Sequence, residues 1–222
     1  MIKHYVTRVS KTFKNFMNAM GFSSRRFVVI PEGVTSVEEY AFEECTSLTT
    51  IVIPKTVTSI GKSAFYRCRN LTSIAIPETV RSIGEHAFYA CKSLSSIVIP
   101  KSMASISRWT FSGCKNLTSV DIPEGVTSIG TGAFWGCRNL ATIIIPESVT
   151  SIEGGAFIYC PKLCIISDDP NRIRQMIIGH NVNIVDYKEY LSSVYGNIES
   201  KNLSQEEMKG LCNLIVSRKI EI

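Results

Sequence analysis

Residues 53–71, IPKTVTSIGKSAFYRCRNL, decide how this chain is read. Cys68 sits between Arg67 and Arg69. Cations beside a thiol lower its pKa and make it nucleophilic, so the segment in isolation is a candidate reactive-cysteine site. Its recurrence argues for scaffold instead. Pro31, Pro54, Pro77, Pro100, Pro123 and Pro146 stand 23 residues apart. The same step of 23 separates Phe42, Phe65, Phe88, Phe111, Phe134 and Phe157, and also Cys45, Cys68, Cys91, Cys114, Cys137 and Cys160. Leu48, Leu71, Leu94, Leu117, Leu140 and Leu163 keep it too.

Each unit has a physical reading. In LTSIAIP (71–77), Ile74 and Ile76 alternate with Ser73 and Ala75, the pattern of a strand with one buried face. Pro77 cannot donate a ladder hydrogen bond, so pairing should stop there. Val80 and Ile83 enter a second short extended piece, and Gly84 permits a turn. Ala87, Phe88 and Cys91 then fit one helical turn, and Leu94 closes the coil. No unit can bury these side chains alone, so neighbouring coils must stack, about 4.8 Å apart. Cys68 becomes a rung of an interior ladder, where apolar surroundings raise a thiol's pKa.

The pattern L-T-S-I-x-I-P-x-x-V-x-S-I-G-x-x-A-F-x-x-C resembles the BspA-like class of leucine-rich repeat over about residues 25–166. The resemblance implies an α/β repeat protein: a right-handed leucine-rich-repeat solenoid with a parallel β-sheet on its concave face. It also implies adhesion or host-protein binding, since members of that class are commonly surface or secreted proteins. We expect helical terminal caps, which divide the chain into 1–24, 25–166 and 167–222.

In 1–24, Val6, Val9, Phe13, Phe16, Met17 and Met20 follow helical spacing, which suits a helix covering the first coil. A basic amphipathic membrane helix or an organelle-targeting helix is the sharper alternative. Beyond 166, Asp168-Asp169-Pro170 resembles a helix start and NVNIV (181–185) a last strand. Tyr187–Tyr195 and Gln205–Arg218 read as helices, the second opened by a capping box of Ser204 and Glu207. The final stretch, SQEEMKGLCNLIVSRKIEI (204–222), also resembles C-terminal secretion signals of some intracellular bacterial pathogens.

The 222-residue chain is 45% hydrophobic and 19% charged, which suffices for a continuous core. No apolar run has membrane-spanning length. The opening residues lack a secretory h-region, so reduced thiols and a cytoplasmic location are the default, with non-Sec export or host delivery as the alternative. Of the net charge of +5, six positive residues (Lys3, Arg8, Lys11, Lys14, Arg25 and Arg26) precede the first acidic one, Glu32. The remainder then totals −1, so no nucleic-acid surface is expected.

Chemistry is absent from the motifs. His4, His86 and His180 are scattered, and GTGAFWG (130–136) occupies the register of GKSAFYR rather than forming a dinucleotide loop. Cys160 and Cys164 lack a second cysteine pair for zinc. We expect no enzyme, catalytic residue, cofactor or metal. Contacts with a protein partner are expected from the outward row Val52, Val98, Asp121 and Ile144, with Trp135 as an anchor. An edge row of Arg69, Lys92, Lys115 and Arg138 would attract an acidic or phosphorylated partner. Repeat four, SMASISRWTFSGC, has drifted: Ser107 replaces the turn glycine and Trp109 adds bulk. Deleting residues 1–24 separates the two readings of the N-terminus. A cap predicts insoluble protein, whereas a membrane helix predicts a soluble solenoid that no longer sediments with membranes.

Overall fold

The computed structural model describes residues 8–9, 26–177, 182–195 and 203–216. It is a parallel-strand solenoid of about seven turns. Coils one to six are counted here by their ladder cysteines, Cys45 to Cys160. The expected N-terminal helix lies outside the described residues except at Arg8–Val9 (β1). These two are extended and pair in parallel with Ser36–Val37 (β3), so the helical reading fails there.

Each coil except the fourth contributes two short strands. The longer set lines the concave face: Phe27–Val29 (β2), Thr50–Val52 (β4), Ser73–Ala75 (β6), Ser119–Asp121 (β9), Thr142–Ile144 (β11) and Cys164–Ile166 (β13). Asn183–Val185 (β14), the expected last strand, extends this sheet beyond coil six. The second set, after the proline, holds Ser36–Val37, Ser59–Ile60 (β5), Ser82–Ile83 (β7), Ser105–Ile106 (β8), Ser128–Ile129 (β10) and Ser151–Ile152 (β12). From β2 and β3 onward the register is 23 residues until Thr142 pairs with Cys164, 22 residues on. The period therefore ends just after Leu163.

The segment expected to be one helical turn is instead a run of tight turns. Ala87, Tyr89 and Cys91 donate their N–H groups three residues back, to Gly84, His86 and Phe88. The intervening His86, Phe88 and Ala90 donate to Arg108, Thr110 and Ser112 of the next coil. This alternation requires left-handed backbone at His86 (φ 58°) and Ala90 (φ 55°), which a helix cannot contain. The same two positions have positive φ in every coil, at Ser63 and Arg67 in coil two and at Gly132 and Gly136 in coil five.

The phenylalanine ladder fills the interior. Neighbouring rings lie 5.2–5.7 Å apart, within 18° of parallel. Beside it, Cys68, Cys91, Cys114, Cys137 and Cys160 each donate Sγ–H to a phenylalanine carbonyl one coil back, at 2.9–3.2 Å. Cysteine suits this place because it is small, apolar and still a donor.

Both strand sets are interrupted between coils three and four. The concave strand is lost at 96–98, leaving only a bridge from Ser96 to Ser119, and β7 does not pair with β8. The second break has a local cause. Gly61, Gly84 and Gly130 each donate backbone N–H to the strand before them. At the same register the Ser107 hydroxyl takes the Ile83 carbonyl instead, at 2.6 Å. Glu153, also not glycine, keeps its backbone bond to Ile129, so the hydroxyl rather than the mere presence of a side chain marks Ser107.

Beyond coil six, Asp169 caps the helix Pro170–Met176 (α1) by accepting from Arg172 N. Tyr187–Tyr195 (α2) and Gln205–Val216 (α3) follow, and Ser204 and Glu207 form the expected capping box. Truncating a buried phenylalanine costs about 3–5 kcal/mol. Phe65→Ala should therefore lower the melting temperature by well over 5 °C in a calorimetric scan, since about 1 kcal/mol shifts a domain of this size by ~2–4 °C.

Candidate interaction surface

The ladder thiols are placed for packing and not for attack. Cys68, Cys91, Cys114, Cys137 and Cys160 are buried, and burial pushes Cys114 up to about 12 and Cys160 to about 11. Cys91 and Cys137 are raised for the same reason. Arg67, one of the two cations beside Cys68, is turned away. Its guanidinium lies 3.1 Å from Glu44 and 5.0 Å above the Tyr66 ring.

On the concave face, Val29, Val52 and Val98 are exposed in line, at 56%, 43% and 70%. Asp121 is exposed on the same row. Ile144 is not: it is 1% exposed, so its expected role as a partner contact is corrected. It points out of the coil as the alternation requires, but the chain folds back over it. Ile144, Ile166 and Val185 form a second core with Tyr187, Leu191, Met208, Cys212 and Ile215 of α2 and α3. Lys209 of α3 forms an ion pair with Glu124, fixing the helix across the sheet. A groove of about 1010 Å³ opens between α3 and the sheet, directly over the interrupted strand of coil four. Val98 lies on its floor, Leu214 on its wall, and Glu78, Asp121 and Glu124 along its sides.

Glu124 and Lys209 escaped the sequence reading because they meet across 85 residues. The apolar stripe Leu211, Leu214 and Ile215 was the available signal. It said that α3 packs on something without saying on which face.

Trp135 is half-buried within an aromatic ribbon on the turn side. It stands edge-on to Trp109 at 6.2 Å and to Tyr159 at 5.2 Å. His86 stacks 6.4 Å from Trp109 and Tyr66 5.0 Å from Tyr89, which continues the ribbon. The structure thus interleaves two rows that the repeat alignment keeps apart. Trp109 also lies over the next coil: a Cβ at Gly132 (φ 61°) would fall 2.4 Å from its ring. Arg69, Lys92 and Arg138 are exposed and Lys115 half-buried. Backbone bonds from Ser93 to Arg69, Asn116 to Lys92 and Asn139 to Lys115 stack the four in register.

Comparison with known proteins follows this geometry. A family model described as a BspA type leucine rich repeat region matches in six copies, over residues 15–107 and 35–164. A leucine rich repeat protein of T. pallidum is 36% identical, with 68% of this chain and 72% of that one covered and a TM-score of 0.64. A leucine rich cell surface protein from Faecalibacterium prausnitzii A2-165 is 27% identical over 74% of this chain and 66% of that one, with a TM-score of 0.46. The pneumococcal vaccine antigen PcpA shares the fold at 14% identity, covering 72% of this chain and 56% of its own, with a TM-score of 0.52. No curated protein matches the chain.

A thiol whose folded pKa is raised stabilises the fold fully below its unfolded value, and that contribution is lost as pH climbs toward the folded value. The ladder cysteines therefore predict a melting temperature that falls between the ordinary thiol value of 9.0 and about 11. Under native conditions a thiol reagent should reach the half-buried Cys45 and Cys164 first. Rapid labelling of Cys91 or Cys114 would contradict the ladder.

Proposed function

Because the chain belongs to the BspA-type leucine-rich repeat family, we propose that it is a non-enzymatic scaffold that holds a protein partner against its concave sheet. The observation that carries this reading is what the chain does to its own sheet. At coil six and beyond, the outward apolar row is covered by two helices. In coils one, two and four the same row continues uncovered as Val29, Val52 and Val98. A surface that packs an amphipathic helix at one end suits the same kind of occupant along the rest of its length. The groove beside α3 gives that occupant an edge to seat against, and Val98 gives it an apolar floor.

The mechanism is presentation by a rigid platform. Repeated coils fix the row, so little ordering is lost on binding. Of the groove's titratable groups, Glu124 forms an ion pair with Lys209, and Glu78 accepts from the backbone N–H of Lys101 at 2.8 Å. The family is one of repeat scaffolds, and no enzymatic family is indicated.

A photo-crosslinking residue placed at Val98 should capture a defined protein from cells, and one placed at exposed Glu147 on the flank should not. Adding Val52→Asp to the Val98 probe should reduce the yield at least fivefold with the melting temperature unchanged. Equal yields from the two positions would overturn the concave-face reading.

A further inference from the structure

A total of −1 after the N-terminal cations hides a strong segregation. Residues 45–146 hold ten lysines and arginines against only four carboxylates, Glu78, Glu85, Asp121 and Glu124. Three of those four carboxylates line the concave groove. At the other end of the concave strands, in the turn that enters each of them, stand Arg69, Lys92, Lys115 and Arg138. The segments YRCRNL (66–71), YACKSL (89–94), SGCKNL (112–117) and WGCRNL (135–140) contain no acid. Among the described residues, the ion pairs join Arg67 to Glu44, Arg108 to Glu153 and Lys209 to Glu124, and none includes a member of this row. In coil six the row position is Pro161, and Lys162, one residue on, donates to Asn139 Oδ1 at 2.9 Å.

We propose that this strip binds a linear acidic polysaccharide lying along the solenoid axis. The stacked coils set one cation per coil, about 4.8 Å apart, and like charges held in line at that spacing repel. A ligand that relieves the repulsion at every coil must carry its own regular charge. An anionic group on successive sugar rings recurs on a similar length, and a single phosphorylated side chain would satisfy only one or two coils. Duplex DNA carries a phosphate per strand every ~3.4 Å of helix axis, and its strands wind away round that axis, so it falls out of step within a few coils. Nucleic acid in single strands needs open aromatic faces on which to stack, and Tyr66 and Tyr89 cover one another at 5.0 Å. Of the residues that follow the cations, Asn70 donates to Thr46 O and Asn139 accepts from Lys162, while Ser93 and Asn116 are neutral polar groups able to donate to or accept from sugar hydroxyls. This proposal is independent of the concave-face reading, since the row lies outside the groove.

The test uses the full chain with a heparin dodecasaccharide, polygalacturonate, a duplex DNA of matched length and a doubly phosphorylated peptide, each followed by fluorescence anisotropy over a salt series. One variant carries Arg69→Gln, Lys92→Gln, Lys115→Gln and Arg138→Gln. A second, of equal charge change, carries Lys55→Gln, Lys62→Gln, Arg81→Gln and Lys101→Gln. The expected result is binding of at least one polysaccharide more tightly than DNA or phosphopeptide. The row variant should lose at least tenfold in affinity and reduce the salt slope by about one unit per lost contact, and the second variant should lose less than threefold. Which polysaccharide binds distinguishes a sulfated from a carboxylated ligand. Equal losses in the two variants, no binding of either polysaccharide, or a preference for DNA or phosphopeptide would each overturn the proposal.

Discussion

The turn that carries phenylalanine and cysteine has to satisfy its backbone in two directions at once. Alternate N–H groups close bonds within the coil, and those between them reach the next coil. That alternation flips the peptide every second residue and holds two residues per coil at positive φ. A left-handed residue with a side chain costs about 1–2 kcal/mol, so the arrangement persists only because each flip returns a bond between coils. The phenylalanine carbonyl takes a further donor, the cysteine thiol from one coil on. Core packing, backbone pairing and coil spacing are thus one constraint, repeated.

Much of this was legible because repetition turns one local pattern into six observations. The concave strands, the interior cysteines, the capping box at Ser204 and the helix at Tyr187–Tyr195 all followed from spacing and residue type. The helical turn at Ala87–Cys91 did not survive, because spacing of i, i+1 and i+4 cannot distinguish a helix from linked turns. The distinction lies in φ, and His86 and Ala90 carry no glycine to announce it. Ile144 failed for a different reason. Its outward direction was right, but whether an outward residue meets solvent depends on where a helix some 60 residues later comes to rest. The strip of cations was visible as a row expected to attract an acidic partner, while the scarcity of carboxylates over the coils that hold it was masked by summing charge over the chain.

The two surfaces differ in chemistry. The concave row is apolar, flanked by carboxylates, and partly occupied by the chain's own helices. The strip at the strand entrances is cationic and polar, and unpaired among the described residues. They are built from the same 23-residue unit at different registers, so a substitution in one leaves the other in place. The loss of strand pairing between coils three and four adds a local departure from regularity. Ser107 contributes to it by giving its hydroxyl to a carbonyl that a backbone N–H takes elsewhere.

Trp109 and Gly132 have a consequence for how such an array can change its length. The indole of coil four occupies the space where the next coil would place a Cβ. Coils five and six offer glycine at that register, Gly132 and Gly155, whereas coils one to three offer Tyr40, Ser63 and His86. Coil five can therefore be lost and coil six still fits beneath the tryptophan. A copy of any of the first three coils inserted there would displace it. Units that look interchangeable by period are thus ordered by shape.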